Sequence, residues 1–292
     1  MAVGVDVATR DGRALTFSEW GDPDGFPVLC LHGTPGSRFS RHHDESVYAA
    51  AGARVVTYDR PGYGGSDRHR GRDVVDCVDD VVALVDALGI GRFAVIGYSG
   101  GGPHALALAA RLPDRVNRAA CDVGVAPYDA DGLDWFDGMD PLNVQEFGWA
   151  LEGEEVYARE IEREARELLE RVAVDPGNVL GDFEIPDADR AELARPEVHD
   201  VIREGMAESF RNGVWGWVDD GLCFARLWGF EVSEIRVPTR VVYGASDVLV
   251  PAAHGEWLAR NVPGAEVRVN ETQGHVAGDD VVAEQFGWLV RA

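Results

Sequence analysis

The sequence predicts an α/β fold: a mostly parallel central sheet flanked by helices, with a helical segment inserted in its second half. Three observations carry this. Short apolar runs at residues 28–31, 55–58, 93–96 and 237–243 read as strands buried on both faces. Residues 74–88 and 102–112 place apolar side chains at helical spacing, which gives the β-α-β alternation of a parallel sheet. Over residues 127–231 the alternation stops, leaving helix-like stretches without a buried strand, and it resumes after Arg236-Val237-Pro238.

Taken in order, residues 3–9 and 14–20 flank the turn dipeptide Asp11-Gly12 and predict a hairpin. The clearest helix of the inserted segment is 154–173, with Ile161, Ala165, Leu168, Leu169 and Val172 on one stripe. Its other face offers Glu155/Arg159, Glu162/Arg166 and Glu167/Arg171 as i,i+4 pairs. Breakers follow at Asp175-Pro176-Gly177 and Ile185-Pro186-Asp187. The expected organisation is a core domain of residues 1–126 and 233–292, with residues 127–232 as a helical cap.

The chain has 292 residues, with 51 Asp plus Glu against 27 bases, a formal net charge of -24. All of the bases are Arg, so a Lys general base, a Schiff-base Lys and a P-loop Lys are excluded. So acidic a chain repels phosphate backbones and anionic lipid, which argues against nucleic-acid or membrane-surface partners. With 46% hydrophobic residues it can nevertheless build a core. The charge is uneven: residues 127–232 hold 27 acids and 9 Arg, a net of -18, leaving -6 for the rest. An acidic lid favours neutral or cationic small-molecule substrates over anionic ones.

Cys30, Cys77, Cys121 and Cys223 stand far apart, without metal or redox spacing, and are expected to be buried thiols. The N-terminus shows no basic region followed by an apolar one, and no apolar run approaches the roughly 20 residues of a membrane span. A cytoplasmic protein without cofactor or metal is the expectation.

The sharpest chemical signal is Gly97-Tyr98-Ser99-Gly100-Gly101, directly after one apolar strand and before a helix. In this strand-turn-helix context the small neighbours permit a tight turn that exposes the serine. A serine nucleophile needs a base, and the base needs an orienting acid. Asp247, in Gly244-Ala245-Ser246-Asp247, and His275, in Gln273-Gly274-His275, each follow a short strand and stand in the required order Ser, Asp, His. Acyl transfer also needs two N–H donors for the tetrahedral oxygen; Thr34, after His32-Gly33, and Gly100 supply the natural pair. His32 is expected to brace that loop and His104 to pack. Asp122, ending a strand, is a weaker candidate for the orienting acid. His42-His43 and Arg68-His69-Arg70 read as solvated loop residues, and one or two of the five Trp in the inserted segment are expected at the cleft.

With these residues the sequence resembles the α/β-hydrolase superfamily. The matching pieces are His32-Gly33-Thr34-Pro35-Gly36, Asp59-Arg60-Pro61-Gly62-Tyr63-Gly64-Gly65-Ser66, Gly97-Tyr98-Ser99-Gly100-Gly101, Asp247 and Gly274-His275, spread over residues 14–126 and 233–292. The resemblance is to the esterase and proline iminopeptidase-like branch, and it implies a cofactor-independent serine hydrolase with Ser99, Asp247 and His275 as catalytic residues. A serine at the elbow departs from dehalogenases and epoxide hydrolases, which use a carboxylate. Thr34 departs from the His-Gly-Gly-Pro-Gly of iminopeptidases. The expected reaction is hydrolysis of a carboxylic ester, lactone or amide through an acyl-enzyme; the alternative is an aminopeptidase of the iminopeptidase type, and after it a lyase or a ligand receptor on the same fold.

Overall fold

A computed structural model describes residues 2–291. Its elements, in chain order, are β1 (Val3–Ala8), β2 (Ala14–Gly21), β3 (Phe26–Leu31), α1 (Ser46–Ala51), β4 (Ala53–Tyr58), α2 (Cys77–Ala87), β5 (Phe93–Tyr98), α3 (Gly101–Arg111) and β6 (Val116–Asp122). The inserted helices are α4 (Pro141–Glu152), α5 (Glu154–Val174), α6 (Asp187–Leu193), α7 (Pro196–Ser209) and α8 (Trp215–Phe224). The chain then returns to the sheet with β7 (Thr239–Gly244), α9 (Ala252–Asn261), β8 (Glu266–Asn270) and α10 (Asp279–Leu289).

The eight strands form one sheet in the order β1-β2-β4-β3-β5-β6-β7-β8. The β1–β2 pair is antiparallel, as the predicted hairpin requires, and so is β2–β4; every other pair is parallel. Strand periodicity explains the two layers of core. Val28 and Cys30 of β3, Val55 of β4, and Ala94 and Ile96 of β5 face Tyr48, Phe286 and Leu289 of α1 and α10. The alternate residues Leu29, Leu31, Val56 and Val95 face Leu84, Leu106 and Leu258 of α2, α3 and α9. Each such large aliphatic side chain contributes about 1.5–3 kcal/mol by leaving water. All four cysteines are buried free thiols.

The packing of the inserted segment is divided. Tyr157, Ile161, Ala165, Leu168 and Val172 of α5 close a small core of their own with Val214, Trp217 and Val218. Trp135, Met139, Phe147, Phe224 and Trp228 instead join the large core of the sheet. The α5 stripe is as expected except for Leu169, which is half-buried and outside this core, but its ion pairs are not. Arg163 gathers Glu160 at 2.9 Å and Glu164 at 3.0 Å, and Arg159 also turns to Glu160. Arg171 bends to the carbonyls of Asn178 and Val179, which the end of the helix leaves close by. Among the described residues no helix is long and apolar enough to cross a membrane.

Candidate active site

Ser99 sits where β5 turns into α3, with φ at 51°, a left-handed conformation that costs a non-glycine residue on the order of 1–3 kcal/mol. The turn is held by Ser99 N–H donating to the Asp122 carbonyl and Gly102 N–H donating to the Ser99 carbonyl, each at 2.8 Å. It is also crowded. A Cβ at position 97 would collide with the Gly101 backbone, and one at 101 with the Leu31 carbonyl. The glycines around Ser99 thus answer to close backbone approach where β5 gives way to α3.

Asp247 and His275 leave the ends of β7 and β8 and meet. His275 Nδ1 lies 2.8 Å from Asp247 Oδ2, while Asp247 Oδ1 accepts the N–H groups of Leu249 at 2.9 Å and Val250 at 3.0 Å. The acid is thereby held by two backbone donors and the imidazole, and Nε2 is left available to accept a proton. Asp122, the weaker candidate acid, makes no hydrogen bond to His275 among the described residues.

The loop after β3 brings Thr34 against Gly100, since a Cβ at position 100 would strike the Thr34 hydroxyl. His32 braces it as expected: Nε2 accepts the Arg60 N–H at 3.1 Å, so Nδ1–H donates to the Gly33 carbonyl at 2.7 Å. Two residues that the sequence did not single out complete the brace. The Arg60 guanidinium donates to the carbonyls of His32 and Gly33 and to Thr34 Oγ1, and it pairs with Asp220 of α8 at 2.6 Å. The Thr34 hydroxyl donates to the same Asp220 carboxylate, also at 2.6 Å. Thr34 therefore has a positive reason to replace glycine here.

Ser99, His275, Thr34 and Asp122 line one cavity of about 610 Å³, whose far wall comes from the inserted helices, including Trp149, Leu168, Met206 and Trp217. Two of the five Trp of that segment therefore do face the cleft. No hydrogen bond joins Ser99 to His275 among the described residues; such contacts commonly tighten only when substrate is bound. The cavity also holds Glu146, Glu164, Glu167 and Asp182 against a single Arg171. Glu146 Oε1 accepts from Tyr157 at 2.7 Å and Trp217 at 2.6 Å, and burial pushes its carboxyl above the ordinary range.

Burial disfavours a charged His275, but the carboxylates of Asp247, Asp189 and Asp122 outweigh it and hold the imidazole above its ordinary 6.5. A reaction that needs neutral His275 should accordingly gain rate through an apparent pKa above that value. Asp122 is pushed up to about 6, chiefly by burial. A raised folded-state pKa makes the charged form a liability: the protein is relatively more stable below the ordinary carboxylate pKa and loses that advantage as pH rises through about 6. Asp122→Asn is expected to stabilise the protein above pH 6 by on the order of 2 kcal/mol, with the gain vanishing below about pH 4. Urea unfolding at pH 4 and pH 8 checks this.

Two clusters among the described residues bring potential metal ligands together: His42, His43 and Asp279, and His104, Asp220 and Cys223. In the first, Asp279 already pairs with Arg195 at 2.7 Å; in the second, Asp220 is taken by Arg60, Arg72, Tyr63 and Thr34. Neither cluster lines the cavity. The expectation of solvated loops needs correcting at His42, His43 and Arg68, whereas Arg70 is exposed as expected. His42 and His43 are half-buried against Asp279, and Arg68 stacks on Trp215 while binding Asp219 and Glu154. In each case the inserted segment or α10 supplies an acid that a local reading cannot see.

Residues 27–169 match the family described as alpha/beta hydrolase fold. The 2-hydroxymuconate semialdehyde hydrolase of Pseudomonas sp. strain CF600 is 30% identical over 263 residues, covering 86% of this chain and 81% of that protein. The chain belongs to the α/β-hydrolase fold family. It is an enzyme of the hydrolase class. This α/β hydrolase is also 36% identical to the non-heme chloroperoxidase of Streptomyces lividans, over 50% of its own length and about half (53%) of that relative. An alpha/beta hydrolase fold protein from Nakamurella multipartita superposes with a TM-score of 0.68 at 25% identity, covering 98% of each chain.

Proposed function

We propose that this α/β hydrolase cleaves a carboxylic ester, lactone or amide through an acyl-enzyme. Ser99 attacks the carbonyl carbon and His275 takes its proton, held in the right tautomer by Asp247. The N–H groups of Thr34 and Gly100 receive the oxyanion. His275 then protonates the leaving group and activates the water that releases the acid. The observation that carries this reading is a left-handed Ser99 at the end of β5 sharing its cavity with an imidazole already bound to a buried carboxylate. Residues 127–232 act as the lid over a body of residues 1–126 and 233–292. The acidic cavity wall supports a preference for neutral or cationic substrates.

One observation favours a second reading, an aminopeptidase of the iminopeptidase type. Glu146 keeps Oε2 without a protein partner among the described residues, and a substrate ammonium group could take it. A panel of p-nitrophenyl esters beside proline p-nitroanilide separates the readings: faster ester turnover supports the first, faster anilide turnover the second. On that panel, kcat/KM for a cationic ester is expected to fall with added salt more steeply than for a neutral one. Equal salt slopes would remove the charge preference.

A further inference from the structure

We propose that Asp189, carried by the inserted helix α6, is a positioning residue for His275, so that the lid segment is part of the frame that holds the general base. Its carboxylate accepts all of the consecutive backbone N–H groups at the tip of the histidine loop: Gly274 on Oδ1 at 2.8 Å, and His275 and Val276 on Oδ2 at 2.6 and 3.1 Å. The partners are 85, 86 and 87 residues away in sequence, so this is no local cap. Asp189 is fully buried, and no Arg or His pairs with it among the described residues. A buried carboxylate without a cation costs several kcal/mol unless charge-assisted hydrogen bonds replace its hydration, and here the histidine loop alone supplies them. The fit is close: a Cβ at Gly274 would lie 2.8 Å from Asp189 Oδ2 and 3.0 Å from Pro186.

The same segment also grips the acid's loop. Asp140 N–H donates to the Val248 carbonyl at 2.8 Å, and Asn143 Nδ2 to the Leu249 carbonyl at 2.7 Å. The backbones on both sides of the His275–Asp247 hydrogen bond are therefore tied to the insertion. In the hydrolytic cycle the imidazole must accept a proton from one oxygen and deliver it to another without changing its place. A shift of about 1 Å in such a group can cost on the order of 10²-fold in rate. Asp189 fixes the loop from which the imidazole projects, and its negative charge favours the imidazolium that forms in the transition state.

The inference rests on the serine-hydrolase reading and is tested apart from it. Asp189→Asn keeps the shape but removes the charge and leaves one N–H facing an amide group; Asp189→Ala removes all the acceptors. Both are expected to lower kcat, by about tenfold and by more than tenfold respectively, with KM changed less than threefold. The apparent pKa governing kcat/KM should move down in Asp189→Asn. In the wild-type protein the amides of residues 274–276 should exchange slowly, at rates typical of buried hydrogen bonds, a measurement that does not depend on any variant folding. Wild-type kcat and an unmoved pH profile in Asp189→Asn, or free-loop exchange of those amides in the wild type, would overturn the role of Asp189. Failure of the underlying reading looks different: the wild-type enzyme would then resist a fluorophosphonate probe at Ser99.

Discussion

Ser99→Ala is expected to abolish turnover of every ester in the panel, with kcat reduced on the order of 10⁴-fold or more while the folded structure persists. The substitution removes one oxygen at the cavity wall from a turn whose strain is set by backbone contacts, so the elbow keeps its shape. The oxyanion donors and the cavity also remain, and they alone account for the residual rate. Intact-mass detection of a fluorophosphonate adduct on the wild type, and its absence from the variant, ties the loss to the nucleophile. Retention of full esterase activity by the variant would sink the acyl-enzyme scheme.

The second large effect is expected at Asp220, a residue with no contact to the reacting atoms in the proposed scheme. Its carboxylate lies completely buried between Arg60 and Arg72, at 2.6 Å from each, with Tyr63 and Thr34 as further donors. Burial on its own would raise the pKa of this carboxyl, but the two guanidinium groups hold it far below the usual range. Asp220→Asn leaves the buried Arg60 without a counter-charge and Arg72 with only Asp219 at 3.3 Å, and is expected to cost about 3–5 kcal/mol in urea unfolding. It should also slow acylation, because Arg60 and Asp220 together hold the Thr34 loop. As a control, Glu45→Ala breaks a half-exposed pair with Arg41, which keeps Glu204 as a partner, and should change stability by under about 1 kcal/mol. Comparable losses in the two variants would show that burial is not what gives the Asp220 network its weight.

The parts of the site that were legible in the sequence share one property: their signals are local. The glycines around Ser99 report a turn that only small neighbours permit, and Asp247 and His275 announce themselves at the exits of short apolar runs. The sheet was legible for the same reason, since β3 and β5 are short, apolar and bounded by turns. What stayed hidden depends on partners distant along the chain. Asp189 and Asp220 look like two more acids in an acidic segment, yet Asp220 meets Thr34 across 186 residues and Asp189 meets the histidine loop across 85 or more. Arg60 stood within a quoted motif, but nothing around it disclosed that its guanidinium would reach back to the loop after β3. The ion pairs of α5 failed at the opposite scale. Helical spacing allows several partners for each Arg, and a neighbouring acid or a free carbonyl at the helix end decides among them.

The hydrogen bonds from Asp140, Asn143 and Asp189 into the loops beneath them bear on how such enzymes can be recombined. Helical segments of this kind look like exchangeable parts, because they enter and leave the body through single crossings of the chain. Here a transplanted segment would bring new cavity walls but would also withdraw the acceptors and donors that keep two body loops in place. A chimera that alters specificity without injuring the chemistry must carry the Asn143 and Asp189 side chains and the Asp140 main-chain N–H across the splice, or retain the stretches that bear them.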